Sequence, residues 1–403
     1  MSNYRWVVLA VGCLGTAVVG VLRQGLPALG PAFRDTFGLT LGEVGFVFGA
    51  LAAGMTIGLV PWGALADRTG ERPVLAGGLV LTTAALILAA VSEAFALLLT
   101  GLFLTGLFAA SATGATGRAV MGWFGRAERG FVLGIRQTAI PLGGALAALT
   151  LPAVAVAAGL REALLALAGF TLVAAVAGAV WLRDPPPSEP PPGFSAPPPT
   201  RDPRIWRLGV GSGLFVVAQA AVIGFVVLFL HDDHGLGLGE AAAVLAAIQV
   251  ASAIARIAIG RLSDRRGRRI APLRGAGIAG GALVALAALL NDAPLGVLVP
   301  LLVLGGAAMS SWNGLSFTVA AEIAGRARAG TAMSLQNTLV SMLGAVASPL
   351  FGALAGATSF ATAYLIIAAA PVLGWWVLRP LEDDEDERAE ARARRLAAYA
   401  VES

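Results

Sequence analysis

Long apolar runs alternate with short charged segments along the whole chain, and this alternation predicts its elements. Each run is about 20 residues long, the length an α-helix needs to cross the hydrocarbon core of a bilayer. The pattern predicts twelve membrane-spanning helices, near residues 6–30, 43–64, 73–92, 96–119, 130–156 and 163–182, and then 205–230, 239–260, 271–290, 294–318, 331–355 and 359–379.

An internal repeat relates the first six predicted spans to the last six. The segment Gly63-Ala-Leu-Ala-Asp67-Arg68-Thr-Gly70-Glu71-Arg72 returns 197 positions later as Gly260-Arg-Leu-Ser-Asp264-Arg265-Arg-Gly267-Arg-Arg269. A second echo, at an offset of 200, places Gly130, Thr138, Gly144 and Ala145 opposite Gly330, Thr338, Gly344 and Ala345. Two sets of matches in register indicate a duplicated six-helix unit.

Each copy of the charged segment is expected to form a turn between two spans. Gly63 and Gly260 would let a neighbouring helix approach closely, and Gly70 and Gly267 would supply the turn geometry. The aspartate of each copy, Asp67 or Asp264, would cap the next helix or pair with arginines of neighbouring helices.

The repeated segment resembles the signature loop of the major facilitator superfamily, G-x-L-x-D-R-x-G-R/K-R/K. The first copy departs from it only at Glu71, and the second is complete. The resemblance implies an all-α integral membrane protein of two pseudo-symmetric six-helix bundles. In that fold, spans 1, 4, 7 and 10 surround a central cavity and spans 2, 5, 8 and 11 line its sides.

The same resemblance implies secondary transport by alternating access, with a gate at the inner ends of the helices. The gating residues it indicates are Gly63, Asp67, Arg68, Gly70, Arg72 and Arg118 in the first half and Gly260, Asp264, Arg265, Gly267, Arg269 and Glu322 in the second.

Proline dominates the segment between the two halves. From Asp184 to Pro203 the chain is too rich in proline to form helix or sheet, and we interpret it as a semi-rigid linker rather than a ligand for a proline-binding partner. The predicted organisation is a bundle over 1–183, a cytoplasmic linker over 184–204, a bundle over 205–380 and a charged tail over 381–403. We expect the tail's acidic cluster to be solvated rather than bound to the basic inner loops.

Composition supports the membrane assignment independently. The chain of 403 residues is 57% hydrophobic and 13% charged, with a mean hydropathy of +0.80, which excludes a soluble globular domain. All 28 basic residues are arginines, and only Arg23, Arg34, Arg136, Arg161 and Arg256 lie away from segments predicted to face the cytoplasm. By the positive-inside rule, both termini of this multi-pass plasma-membrane protein are cytoplasmic, and its net charge of +4 does not indicate nucleic-acid binding.

Three arginines lie inside predicted spans, where a charge is costly and therefore indicates function. Arg23 is late in the first span, Arg136 is about two turns into the fifth, and Arg256 precedes Gly260 by four residues in the eighth. For each, a structural role is the alternative: Arg23 and Arg256 could reach water at a helix end, and Arg136 could join two helices.

Carboxylates are missing from the interior of the same spans. A site with positive charge and no resident anion should recruit one from solution, and the planar guanidinium matches the oxygens of a carboxylate or nitrate. The sequence therefore predicts a small anionic substrate. Neutral polar residues on the predicted cavity-lining spans would complete its site: Gln24, Gln137, Gln219, Gln249, Trp312, Asn313, Gln336 and Asn337.

Local resemblances refine the substrate class. The pattern Arg256-x-x-x-Gly260-x-Leu-x-Asp264 resembles the eighth span of monocarboxylate and oxalate/formate transporters, where the matching arginine binds the substrate carboxylate. Nitrate/nitrite porters also pair arginines without buried carboxylates, so an inorganic anion is an alternative. Drug efflux is a further alternative, but the antiporter signature G-x-x-x-G-P-x-x-G-G here retains only Pro141 and Gly144 of its fixed residues.

Catalysis is not expected, because the chain has two histidines, one cysteine and no pair of interior carboxylates. We expect no cofactor or metal, a lipid-embedded monomer, and coupling either to a proton or to exchange of a second anion. A receptor of the same fold is the remaining alternative, although no sizeable soluble output domain accompanies the spans.

Overall fold

The structure is a computed structural model, which describes residues 3–124, 128–184, 199–325 and 328–387. These residues form helices joined by short turns, with no β-strand among them. Twelve helices of this described part are long and apolar enough to span a membrane. The structure therefore confirms the predicted all-α fold with twelve spans.

We number the spanning helices α1 to α12 in chain order. They are α1 Tyr4–Phe37, α2 Leu41–Thr69, α3 Glu71–Ala90, α4 Phe95–Trp123, α5 Arg129–Ala158, α6 Leu160–Trp181, α7 Pro203–Asp232, α8 Leu238–Arg266, α9 Ile270–Leu289, α10 Leu295–Ala324, α11 Ala329–Ala357 and α12 Phe360–Glu387. The first continues past its predicted end at residue 30, because Pro31 occupies the first turn of its last segment, where a missing N–H costs nothing.

Helices α1–α6 form the N-terminal half and α7–α12 the C-terminal half. With an even number of spans, both ends of the chain lie at one end of the bundle, which we call the terminal end; the opposite end is the distal end. Tyr4 donates a 2.7 Å hydrogen bond to the carbonyl of Trp181, and Arg5 pairs with Glu128 at 2.8 Å. These contacts gather the starts of α1 and α5 and the end of α6 at the terminal end.

At the distal end, the sequence repeat at an offset of 197 corresponds to the same helix cap in both halves. The backbone N–H of Thr40 donates to the Glu43 carboxylate at 2.9 Å, and that of Gly237 donates to Glu240 at 3.0 Å. Each glutamate thus satisfies an N–H at the start of α2 or α8 that has no partner within the helix.

The repeated turns lie at the terminal end, where Gly70 and Gly267 have φ angles of 89° and 64°. A residue with a side chain is strained in this region, so the predicted turn role of both glycines is confirmed. Of the two roles predicted for the turn's aspartate, a helix cap or an ion pair with arginine, Asp264 has the ion pair, with Arg269. The side chain of Asp67 lies outside the described residues.

Carboxylates from the ends of the two halves supply the caps instead. Asp184, just after α6, accepts from the backbone N–H groups of Glu71 and Arg72 at 2.6 and 3.0 Å. Glu385, near the end of α12, accepts from those of Arg269 and Ile270 at 2.6 and 2.9 Å. Each cap joins the last helix of a half to its third helix, and an N-cap of this type is worth about 1 kcal/mol.

The acidic tail therefore binds the basic turn, which corrects the expectation that it is solvated. Besides the cap by Glu385, Glu382 pairs with Arg274 and Asp386 pairs with Arg268 at 3.2 Å. Repulsion among these close carboxylates is offset by the arginines that face them. The arginine-rich segment 388–403 and most of the proline-rich linker, 185–198, lie outside the described residues.

The two halves meet tightly at the distal end. Helix α2 packs on α11 through Gly45, where a Cβ would lie 2.5 Å from the Ser348 carbonyl oxygen. The rings of Phe48 and Phe225 meet edge to face with centroids 5.8 Å apart. Because Gly45 has no side chain, the backbones of α2 and α11 approach each other closely there.

The contacts at the terminal end differ from those at the distal end. Among the described residues, the ion pairs at this end join elements of one half, as Arg118 with Glu71 at 3.1 Å and Arg269 with Glu322 at 3.4 Å. A Cβ at Gly63 or Gly260 would meet no described atom within 4 Å, so the predicted close approach at these glycines is wrong for this conformation. Among the described residues, the tight contacts between the halves thus lie at the distal end.

Candidate functional site

Helix α1 loses its regular hydrogen bonding in the middle of the membrane. Residues Val21–Gly25 form a π-helical turn and Leu26–Leu29 a 3₁₀ turn before the α-helix resumes. Single π-turns inside α-helices are rare and are frequent at functional sites. This one carries Arg23 and Gln24.

The side chain of Arg23 crosses from the N-terminal to the C-terminal half. A Cβ on Gly344 of α11 would lie 3.3 Å from Nη2 of Arg23, and the same Cβ would lie 3.3 Å from Val216 of α7. Arg23 lines a cavity of about 60 Å³ between α1, α2, α7 and α11, together with Gln24 and Gln219. The alternative that Arg23 reaches the outer surface is wrong.

Helix α10 is also interrupted, and the interruption positions Arg256. The first segment of α10 ends at Ser310 and the second begins at Asn313, which leaves carbonyls at the break without helical partners. Arg256 donates from Nε to the Ser310 carbonyl oxygen at 2.9 Å. The partial negative charge of a helix C-terminus favours a cation at this place.

Arg23 belongs to the N-terminal half and Arg256 to the C-terminal half. No carboxylate among the described residues pairs with either of them, nor with Arg136. Each half therefore contributes one guanidinium group that has no carboxylate partner among the described residues.

Arg136 has a different environment, inside the N-terminal half. Its Nη1 donates to the Thr116 hydroxyl of α4 at 2.7 Å and lies 3.4 Å from the Thr16 hydroxyl of α1. Its side chain is 8% exposed, and its Nε has no partner among the described residues. Hydroxyl groups thus solvate this charge only in part.

The C-terminal half repeats this arrangement with a neutral residue. Gln336 donates to the Ser316 hydroxyl at 2.8 Å, and Ser316 lies 2.8 Å from the Ser212 hydroxyl. Gln336 and Ser316 are 200 positions after Arg136 and Thr116. Each half therefore joins its first, fourth and fifth helices through one polar triad, charged in one half and neutral in the other.

The other predicted polar residues divide into two groups. Gln249 donates to the backbone carbonyl of Gln24 at 3.4 Å, and Trp312 donates to the side chain of Gln219 at 3.1 Å, and all four are nearly fully buried. The second group, on α5, α10 and α11, is half-buried, and the structure does not join its members to the arginine pair: Gln137, Asn313 and Asn337.

Comparison with known proteins agrees with this architecture. A family model of the Major Facilitator Superfamily matches residues 12–349. The chain belongs to the major facilitator superfamily. Like the transporters of this superfamily that it resembles, it is a membrane transporter and not an enzyme.

Relatives of this superfamily member cover almost its whole length. It is 32% identical over 400 residues to the uncharacterized MFS-type transporter Rv2994 of Mycobacterium tuberculosis, covering 97% of this chain and 89% of that one. It is 26% identical to the probable sulfoacetate transporter SauU of Cupriavidus necator, covering 96% of each. Over 135 residues, 32% of this chain and 30% of the relative, it is 30% identical to the probable galactarate/D-glucarate transporter GudP of Bacillus subtilis.

Among solved structures, a bacterial homolog of the human lysosomal transporter Spinster, in an inward-facing and unoccupied conformation, has the same fold. The TM-score is 0.77 at 18% identity, covering 96% of this chain and 97% of that one. At this identity the match concerns the fold alone.

The signature turns of this major facilitator member contain both paired and exposed residues. Arg118 donates to the carbonyl of Gly63 at 3.4 Å, and Arg72 donates to that of Ala179 at 2.7 Å. Arg68 and Arg265 are exposed. Partial burial of Arg269 by itself lowers the pKa of its guanidinium. The hydrogen bonds and negative charges of Asp264 and Glu322 outweigh that effect, so the pKa of Arg269 is raised above the ordinary arginine value.

Several polar residues of the site were missed by sequence reasoning. They are the hydroxyl partners of the triads and the break in α10: Thr16, Thr116, Ser212, Ser310 and Ser316. Small hydroxyl residues are common in membrane helices, so a single one does not indicate a functional site. The match of Thr116 with Ser316 at the repeat offset of 200 could have indicated the two hydroxyl partners.

Proposed function

We propose that the protein transports a small organic anion by alternating access, and that Arg23 and Arg256 bind the anion between the two halves. The observation that carries the proposal is that each half contributes one guanidinium group without a carboxylate partner among the described residues, and that the Arg23 side chain reaches α7 and α11 of the other half.

The electrostatics of the pair favour an anion in the intervening space. Two like charges in a medium of low polarity repel strongly, and a carboxylate or sulfonate between them replaces that repulsion by two attractions. A guanidinium also presents parallel N–H groups that match the oxygens of such an acid. Because each half supplies one cation, the bound anion lowers the cost of bringing the halves together around it.

The remaining polar residues would set the electrostatic potential of the site and the orientation of the substrate. Arg136 adds a positive charge inside the N-terminal half, where its hydroxyl partners hold the side chain in place. We assign the orientation of the substrate to the neutral residues of the central helices, which are Gln24, Gln137, Gln219, Gln249, Trp312, Asn313, Gln336 and Asn337.

We assign the terminal end to the cytoplasm, since the arginines gather there. We accordingly assign the structure to the inward-facing state of a plasma-membrane carrier that works as a monomer. Closing the terminal end would bring together the two turns around Asp67 and Asp264. Because the site lacks a carboxylate to carry a proton, we expect the proton to travel on the substrate or a second anion to be exchanged.

The relatives support an organic rather than an inorganic anion. The names of the Cupriavidus necator and Bacillus subtilis relatives specify sulfoacetate and galactarate or D-glucarate, which are organic anions.

Uptake into proteoliposomes tests the proposal. The panel is lactate, sulfoacetate, D-glucarate, nitrate and a cationic dye, each with and without a pH gradient. We expect uptake of one or more organic anions, a loss of at least tenfold in Arg256→Gln, and little change in Arg161→Gln, which removes an exposed arginine at the start of α6. Uptake of the dye alone, or of nitrate alone, would contradict the organic-anion assignment.

A further inference from the structure

We propose that Gln219 donates a hydrogen bond to the transported anion, and that Trp312 is a positioning residue that turns the Gln219 amide nitrogen toward the cavity. This inference rests on the proposed function and adds to it the orientation of one side chain, which decides what α7 offers to the anion.

Gln219 lies beside the place where the Arg23 side chain reaches α7. A Cβ on Gly344 would lie 3.3 Å from Nη2 of Arg23 and 3.3 Å from the Val216 side chain, so the guanidinium approaches α7 near Val216. Gln219 follows Val216 by three residues and therefore lies on the same face, about one turn closer to the distal end. Arg23, Val216 and Gln219 all line the cavity of about 60 Å³.

The chemistry of Trp312 fixes the orientation of the Gln219 amide. The indole N–H of Trp312 donates to Oε1 of Gln219 at 3.1 Å. An indole offers a donor and no acceptor, so only the amide oxygen can face it. The opposite orientation would place N–H groups against each other, and the amide nitrogen therefore points away from Trp312.

Both side chains of this pair are enclosed by protein. Trp312 is 1% exposed and Gln219 is 6% exposed. Trp312 lies at the break in α10, two residues after Ser310, whose carbonyl accepts from Arg256. The break thus holds Arg256 through a backbone carbonyl and Gln219 through an indole.

The amide nitrogen of Gln219 remains available to a ligand. It has no hydrogen-bond partner among the described residues, whereas the oxygen of the same amide is occupied by Trp312. Of the two side chains, only Gln219 lines the cavity, so the nitrogen is the end of the amide on the cavity side. An acceptor atom bound in the cavity would satisfy it.

An anion would then meet donors from both halves in one cavity. Arg23 presents charged N–H groups from the N-terminal half, and Gln219 presents neutral ones from the C-terminal half. The oxygens of a carboxylate or sulfonate accept from both. A cation would meet the charge of Arg23 and no acceptor from Gln219, so the fixed amide adds to the selection of anions.

The kinetics of uptake into proteoliposomes test the role of Gln219. The probe is the labelled panel anion that the parent protein takes up: lactate, sulfoacetate or D-glucarate. Gln219→Met keeps the volume of the side chain and removes its N–H groups. We expect the KM to rise about tenfold, the effect of losing one hydrogen bond to a charged group.

A second variant tests the role of Trp312. Trp312→Phe keeps an aromatic ring and removes the indole N–H, so the Gln219 amide is no longer fixed. We expect the KM to rise severalfold, but less than in Gln219→Met, because a freed amide still donates in one of its orientations. Trp376→Phe, which changes an exposed tryptophan of α12, is the matched control and should leave the KM unchanged. Size-exclusion chromatography and thermal unfolding check that each variant is folded.

The double variant separates positioning from a purely structural role. If Trp312 acts through Gln219, the KM of Gln219→Met with Trp312→Phe equals that of Gln219→Met alone. A return to the parent KM in the double variant would overturn the proposal, because Gln219 would then serve only to satisfy the indole N–H. Multiplication of the two single effects would overturn the positioning role of Trp312.

The outcomes also separate this inference from the proposed function. A parent KM in Gln219→Met, with uptake still lost in Arg256→Gln, would overturn the hydrogen bond from Gln219 and leave the anion transporter in place. Absence of uptake of every anion would overturn both proposals.

Discussion

Arg136 and Gln336 hold equivalent places in the two halves. Each donates a hydrogen bond to a hydroxyl residue 20 positions before it, Arg136 to Thr116 at 2.7 Å and Gln336 to Ser316 at 2.8 Å. The duplicated scaffold has thus kept its polar triad while the charge is present in one half only. Because only one half carries the charge, the effect of the charge on transport can be tested apart from the effect of the triad on stability.

Arg136→Gln should therefore give the N-terminal half the triad of the C-terminal half. The amide can still donate to Thr116, and a buried charge disappears, so we expect a thermal midpoint equal to or higher than that of the parent protein. Uptake should fall at least tenfold, because the N-terminal half loses a buried positive charge that attracts the anion. Thermal unfolding and proteoliposome uptake measure the two effects, and unchanged uptake would make Arg136 purely structural.

A side chain added at the glycine contact between α2 and α11 should change the conformational equilibrium. In Gly45→Ala the new methyl group would lie 2.5 Å from the Ser348 carbonyl oxygen, whereas in Gly42→Ala it would meet its nearest atom, in Ala353, at an ordinary 3.6 Å. We expect Gly45→Ala to disfavour closure of the distal end, and Gly42→Ala, its matched control on the same helix, to have little effect.

Cys13 reports this equilibrium without an engineered label. It is the only cysteine of the chain, it is partly exposed, and it lies on the terminal-end part of α1. When the terminal end closes, alkylation of Cys13 from that side should slow. We expect a severalfold slower reaction in Gly45→Ala than in Gly42→Ala, and equal rates would show that the α2–α11 contact does not govern the conformation.

An ion pair joins the halves at the distal surface. Arg34, near the end of α1, pairs with Asp232 at the end of α7. An exposed pair of this kind contributes about 0.2–1 kcal/mol, enough to change a conformational equilibrium by up to about fivefold. Arg34→Ala should therefore slow Cys13 alkylation by that modest factor, more at low salt than at high salt. The double exchange Arg34→Asp with Asp232→Arg should restore the parent rate, and a failure to do so would argue against a direct pair.

The cap by Glu385 predicts a stability effect at the terminal end. Glu385→Ala removes the acceptor of two backbone N–H groups at the start of α9, at a cost of about 1 kcal/mol. Asp184→Ala should have a similar effect on the start of α3. Thermal unfolding measures both, with the exposed Glu387→Ala as the control. Equal midpoints for all three variants would show that the tail contact is not stabilising.

The sequence predicted which residues are candidates for the site but not how they are arranged. Because a charge inside a membrane is costly, the sequence identified Arg23, Arg136 and Arg256 as candidates. The structure brings Arg23 against α11 and Arg256 against the break in α10, and it surrounds Arg136 with threonine hydroxyls. Nothing in the order of residues distinguishes these cases, because the difference lies in which helices surround each guanidinium.

The sequence by itself determined the twelve spans and the duplication. Apolar length and turn chemistry are local properties, so the runs of about 20 residues and the glycines at positive φ could be read directly. Only the tertiary structure decided which polar groups meet: Arg23 with α11, Arg256 with the carbonyl at the break in α10, and the caps from Asp184 and Glu385. In a membrane the outside of a helix is as apolar as its packed side, so the pattern along the chain does not tell which face of a span turns toward the cavity.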